Sequence, residues 1–208
     1  MNEGIRKLAL AMVSAAVLAG CYPGGAEFIE DYDIVLTNFN EDYDFSSKGT
    51  YALPDDIVKI TGNLAEGDAP EFIPDIYASQ ILDRVRTNMT NLGWTEVDVS
   101  ADPDLLFAPA TWETTTIYYW YDYWGWWWGG YYPGWGWGYY PGYPTYSSYT
   151  TGTLLFTLLD PNEISGNGNP VSQWTGVANG LLSGVYDATR VNQSIDQIFA
   201  QSPYLKIN

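Results

Sequence analysis

Histidine is absent from this sequence, and cysteine occurs once, at Cys21. Without an imidazole there is no Ser-His-Asp or Cys-His relay, and most zinc sites lose their usual nitrogen ligand. A single cysteine closes no intrachain disulfide, so the compartment has to be read from other signals. Basic residues are scarce as well: 8 Lys and Arg stand against 25 Asp and Glu, a formal charge of −17. A chain this acidic repels phosphate backbones, which argues against a nucleic-acid partner, and the charge serves solubility. No motif for a cofactor is present, and none is expected. The apolar run at residues 8–18 falls well short of the roughly 20 residues that span a bilayer.

That short run has another use. Arg6 and Lys7 precede it and Leu18-Ala19-Gly20-Cys21 closes it, which is the layout of a secretory signal. The four closing residues resemble the bacterial lipobox: an aliphatic residue and two small ones before a Cys that is lipidated on its sulfur and becomes the new N-terminus. The resemblance implies a signal peptide over 1–20, lipid attachment at Cys21, a tether over 21–32 and a membrane partner through that lipid. Several acyl chains on one residue anchor stably, since each buried methylene contributes about 0.8 kcal/mol. Tyr22, where an Asp would follow the Cys, implies by analogy with lipoprotein sorting the outer membrane of a bacterial envelope. Loss of 1–20 removes Glu3, Arg6 and Lys7 and leaves 24 acids against 6 bases.

Residues 33–203 read as a single domain. Residues 34–38 and 50–53 are rich in β-formers and separated by a Ser/Gly turn. Pro74-Asp75 opens a helix in which Ala78, Ile81, Leu82, Val85, Met89 and Leu92 recur at three- and four-residue spacing until Gly93 stops it. A short strand from Trp94 turns at Asp102-Pro103 into a long strand. On the far side of an aromatic segment, "TGTLLFTLLDPN" resumes β character, and "VSQWTGVANGLL" is the next strand. A second helix over 188–201 lines up Val191, Ile195, Ile198 and Phe199 before Pro203. The coarse order β-β-α-β-β-β-α predicts an α+β fold, a mostly antiparallel sheet with two helices packed on one face.

Four stretches then resemble the successive signature blocks of a lipoprotein family defined by a domain of unknown function, DUF4136. They are "YDFSSKGTYALPD" (43–55), "NLGWTEVDVSADPDLLFA" (91–108), "TGTLLFTLLDPN" (151–162) and "QWTGVANG" (173–180). The resemblance covers most of 33–203. It implies an exported α+β domain with fold-marking turns and strand ends, and it brings no catalytic set.

Carboxylates are the remaining acid-base candidates. Glu113, Asp102 and Asp104 have no partner that spacing can identify, and turn or exposed-strand roles account for them. Asn38, Asn40, Asp42 and Asp44 alternate as calcium ligands do, yet a calcium loop's glycine at the sixth position and glutamate at the twelfth are missing. A polar strand end followed by an Asx-type turn is the expectation.

The segment over 118–149 holds seven Trp, eleven Tyr, seven Gly and three Pro, with Asp122 its one charge. Tyr-Tyr-Pro-Gly occurs at Tyr131 and again at Tyr139. Strand-like sequence on both sides makes it the extended tip of a β-hairpin, with Pro and Gly interrupting pairing. One reading is a low-complexity loop whose rings pack on one another. Another is a contact surface for an envelope protein or glycan through Trp120, Trp124, Trp126, Trp127, Trp128, Trp135 and Trp137, since such rings combine apolar area with a polar handle. The expected function is therefore a non-enzymatic envelope lipoprotein presenting an aromatic hairpin. The alternative is a glycan-binding or glycan-cleaving protein with carboxylates beside the loop.

Overall fold

A computed structural model of the chain describes residues 34–61, 69–112, 152–166, 170–182 and 184–207. All of them belong to the body, Asp33–Asn208, which separates from the leading unit, Met1–Tyr32. Among the described residues eight strands are formed: β1 Ile34–Phe39, β2 Thr50–Ala52, β3 Val58–Ile60, β4 Glu71–Phe72, β5 Thr95–Glu96, β6 Leu105–Trp112, β7 Thr153–Ile164 and β8 Pro170–Asn179. Two α-helices accompany them among the described residues, α1 Asp75–Asn91 and α2 Ala188–Ala200.

The strands make one sheet in the order β1-β8-β7-β6-β2-β5, with β3 also beside β6 and β4 beside β3. The four longest strands pair antiparallel. β2 and β3 join β6 in parallel, and β5 joins β2 in parallel. The α+β class expected from the sequence is the class observed, and the sheet is mixed. The short strand expected from Trp94 is β5, and the two strands that the sequence reading leaves out, β3 and β4, are three and two residues long.

Pro109 explains why β2 and β3 are separate. A proline has no N–H to give a ladder and belongs where pairing lapses. β2 pairs with Leu105 and Leu106, and β3 pairs with Ala110 to Trp112, so the edge of β6 beside Pro109 carries neither strand.

Alternation along the central strands sorts the core onto two faces. On one, Leu105, Phe107, Leu154, Phe156, Leu158 and Trp174 meet the apolar stripes of both helices, Ala78, Ile81, Leu82, Val85 and Met89 from α1 and Val191, Ile195, Ile198 and Phe199 from α2. On the other, Leu106, Ala108, Ala110, Trp112, Leu155, Leu159 and Val177 form a second buried cluster. α2 comes so close to β8 that a Cβ on Gly176 would collide with the Ile198 side chain. α1 ends as expected at Gly93, whose φ of 98° is left-handed. The Gly93 N–H bonds the Thr90 carbonyl and the Trp94 N–H bonds the Met89 carbonyl, a Schellman closure.

The helices run in the same direction. Tyr77, in the first turn of α1, packs its ring against that of Tyr186, just before α2, with ring centres 4.3 Å apart, and farther along Arg84 of α1 donates to Asp196 of α2. The Leu182 N–H, in the segment leading into α2, bonds the Gly152 carbonyl at 2.8 Å, so both N-termini lie at the end where β6 finishes, at Trp112, and β7 begins, at Thr153. This is the upper end, and the chain enters β1 there too, since Ile34 pairs with Asn179. The lower end is where β6 begins and where α1 and the C-terminal residues meet, with the Trp94 indole N–H on the Leu205 carbonyl at 2.7 Å.

Candidate functional site

The lower end collects the polar chemistry of the described residues. Asp160 continues the Leu-rich run of β7 past its last core residue and is only 1% exposed. A buried carboxylate is costly unless it is bonded on every side. Its Oδ2 accepts the Tyr43 hydroxyl at 2.6 Å and the Lys48 ammonium at 3.1 Å, and its Oδ1 accepts the Asn162 N–H at 2.8 Å. The Lys48 ammonium also lies 5.4 Å from the centre of the Tyr43 ring.

Two further links surround this centre. Gln173, fully buried on β8, donates to Glu163 at 2.9 Å and accepts from the Asn40 side chain at 3.0 Å. Asp104, just before β6, accepts the Gly49 and Thr50 N–H groups and the Thr50 hydroxyl through one oxygen. The Asp104 N–H in turn donates to that hydroxyl at 3.0 Å. The stretch from Asn40 to Thr50 is thus stitched to β6, β7 and β8.

The protonation states follow. Burial pushes the Tyr43 hydroxyl far above its ordinary value, and the hydrogen bond to Asp160 and the charges of Asp160, Glu163 and Asp104 push the same way. Tyr43 is therefore a donor at any physiological pH and never a base. Burial raises the Asp104 carboxyl, but the bonds from Gly49 and Thr50, with the charge of Lys48, outweigh it and hold the group below its usual range. Asp160 is bonded through both oxygens and Asp104 takes all three of its bonds through Oδ2. This arrangement fixes a loop to a sheet, and its chemistry is that of a scaffold.

The sequence candidates are distributed differently. Asp102 is exposed and occupies the left-handed region at φ 57°, the turn role expected of it. Asp104 is in the network. Asn40 and Asp44 each accept the backbone N–H two residues on, from Asp42 and Ser46, as Asx turns do. Among the described residues no group of three or more Asp, Glu, His or Cys could hold a metal ion. Cys21, Glu113, Trp120, Trp124, Trp126, Trp127, Trp128, Trp135 and Trp137 lie outside the described residues. So does most of the expected hairpin, and its described base is the pair Trp112 and Thr153, beside which the Gly152 N–H bonds the Trp112 carbonyl at 2.8 Å.

Sequence reasoning passed over Asp160, Tyr43, Lys48 and Gln173 as site members. The available signal was that all four fall inside the quoted signature blocks, at the ends of strands and turns.

A family model for a domain of unknown function, DUF4136, matches residues 35–204. A crystal structure of a DUF4136 family protein from Bacteroides thetaiotaomicron is 29% identical, covering 84% of this chain and 97% of that one, with a TM-score of 0.61. A PelC dodecamer from Paraburkholderia phytofirmans is 11% identical, covering 85% of this chain and 98% of that one; its TM-score of 0.38 carries no argument. No curated protein matches.

Proposed function

The chain belongs to the DUF4136 family, which names no activity, and from its own residues we propose that it is a non-enzymatic envelope lipoprotein, anchored through Cys21 and presenting the aromatic segment over 118–149 for binding or assembly. The observation that carries the reading is the base of that segment. The chain leaves β6 at Trp112 and returns to β7 at Thr153, and these residues face each other as partners. A loop with both ends on one rung can be long without disturbing the strands below it, because closure entropy grows by only about 0.6 kcal/mol per doubling of length. Trp and Tyr in such number suit recognition better than any acid-base role.

A glycan-cleaving reading needs carboxylates near the aromatic segment. Asp104 and Asp160 stand at the lower end, at the opposite end of the β6 and β7 strands from Trp112 and Thr153, where each is held by donors from the 43–50 stretch, and Glu113, the candidate beside the segment, lies outside the described residues. Replacing residues 118–149 by a short Asn-Gly turn tests the proposal. Retention of the protein on purified envelope fractions should fall to that of a lipid-anchored control. Undiminished retention, or release of soluble sugar by the intact protein, would overturn it. Lipid attachment is checked separately by fatty-acid labelling, expected in the intact chain and lost in Cys21→Ser.

A further inference from the structure

Four large apolar side chains are markedly exposed among the described residues: Ile76, Tyr77, Ile164 and Val185. Scattered singly they would need no explanation. Three of the four, however, lie at the upper end, beside the N-termini of α1 and α2. Ile76 is 65% exposed in the first turn of α1, and Val185 is 93% exposed in the loop before α2. Between them Tyr77 and Tyr186 pack together with their rings tilted by 32°, and the Tyr186 hydroxyl donates to Gln80 at 3.3 Å. Gly184, at φ 86°, makes the turn that carries Val185 outward. The result is two aliphatic tips flanking a pair of tyrosines, the mix of ring and hydrocarbon that favours a bilayer interface.

We propose that the upper end of the body lies against the bilayer that holds the lipid of Cys21, with Ile76, Tyr77, Val185 and Tyr186 in contact with its interface. The proposal rests on the reading of Cys21 as lipid-bearing. Two observations select a bilayer as the occupant. The chain from Cys21 reaches the body at the start of β1, and Ile34 pairs with Asn179 at this same end. From Cys21 to Ile34 is 13 residue steps, at most about 45 Å at full stretch. A patch tethered so closely to a membrane meets it at a high effective concentration, so a small apolar contact suffices to orient the body. The charges then choose the lipid. Asp75 and Asp187 are exposed at the two helix starts, while Asp55 pairs with Arg86 at 3.5 Å. Burial, with the charges of Asp75 and Asp55, raises the Asp56 carboxyl beside them. These acids would be repelled by anionic headgroups and tolerate zwitterionic ones.

The test uses the full, acylated chain in phosphatidylcholine vesicles, with a nitroxide on Val185→Cys or Ile76→Cys at the upper end, or on Glu41→Cys at the lower end. Glu41 is exposed in the turn after β1. On reconstitution the two upper labels should become several-fold less accessible to a water-soluble nickel chelate and more accessible to oxygen, while the Glu41 label stays aqueous. If the chain carries acyl groups and floats with the vesicles but the upper labels stay aqueous, or the Glu41 label is the protected one, the orientation is wrong and the lipoprotein reading stands. If the chain neither carries acyl groups nor floats, both fail together.

Discussion

The two ends of the β6 and β7 strands are made of opposite materials. At the lower end a tyrosine and a lysine donate to a buried carboxylate, and a buried glutamine on the neighbouring strand donates to Glu163 and accepts from Asn40. At the upper end the described side chains include Ile76 and Val185, which project into solvent, and the strands open into a segment of Trp, Tyr and Gly. Buried polar networks give rigidity only when complete, so the lower end behaves as a fixed clasp. Exposed ring and hydrocarbon adds little to the stability of the body and gains value only when a partner covers it. The division separates what holds the fold from what is available for recognition, and mutations at the two ends should have different signatures.

The largest stability effect is expected from Asp160→Ala. It strands the Lys48 ammonium and the Tyr43 hydroxyl beside an empty site. Breaking a buried pair costs up to 3–5 kcal/mol, but Lys48 keeps 24% of its side chain in water, so a loss of about 3 kcal/mol is expected. For a body of this size that lowers Tm by about 10 °C. Asp160→Asn, which keeps an acceptor for Tyr43, should cost clearly less. Urea denaturation of both variants measures the difference, and equal small losses would show that the clasp is dispensable.

The pH dependence sharpens the same point. The folded carboxyl of Asp104 sits below its unfolded value, so its contribution is complete above the ordinary carboxylate range and is lost as pH falls through the folded value. Tyr43 is shifted upward, so its contribution is complete below about pH 10 and is lost as pH rises beyond that. Asp104→Asn should flatten the acid limb of the stability profile and Tyr43→Phe the alkaline limb, the latter with a loss of about 1 kcal/mol at neutral pH for one hydrogen bond. Variants that leave both limbs unchanged would place the titrating groups elsewhere.

The clasp was not legible in the sequence, and the reason is physical. Tyr43 and Asp160 are 117 positions apart, and Asn40 and Gln173 are 133 apart. Each alone looks like an ordinary turn or strand-end residue, and no local period joins them. The helices were legible because burial on one side of a 3.6-residue repeat writes itself into the spacing of Ile81, Leu82, Val85 and Met89. Gly93 was legible because a Schellman closure demands a left-handed residue. Strands of two or three residues carry no period, which hid β3 and β4. The parallel attachment of β2 and β3 to β6 was hidden because strand direction depends on the path of the connecting chain.

The smallest effect on the body is expected from the change that should matter most for binding. Trp126, Trp127 and Trp128 are consecutive, with a glycine on each side, at Gly125 and Gly129. Changing all three to Ser removes much apolar area from the aromatic segment. The clasp and both clusters of buried residues are built from described residues at other positions. The expected outcome is a Tm within about 2 °C of the parent, corresponding to well under 1 kcal/mol. Retention on the envelope fraction should drop sharply, since large rings carry a disproportionate share of interface energy. Asp160→Ala supplies the opposite signature, a lowered Tm with retention preserved at temperatures where the variant is folded. Should the triple Ser variant melt early as well, the rings of the segment belong to the stability of the body, and the division between clasp and recognition surface fails at its upper end.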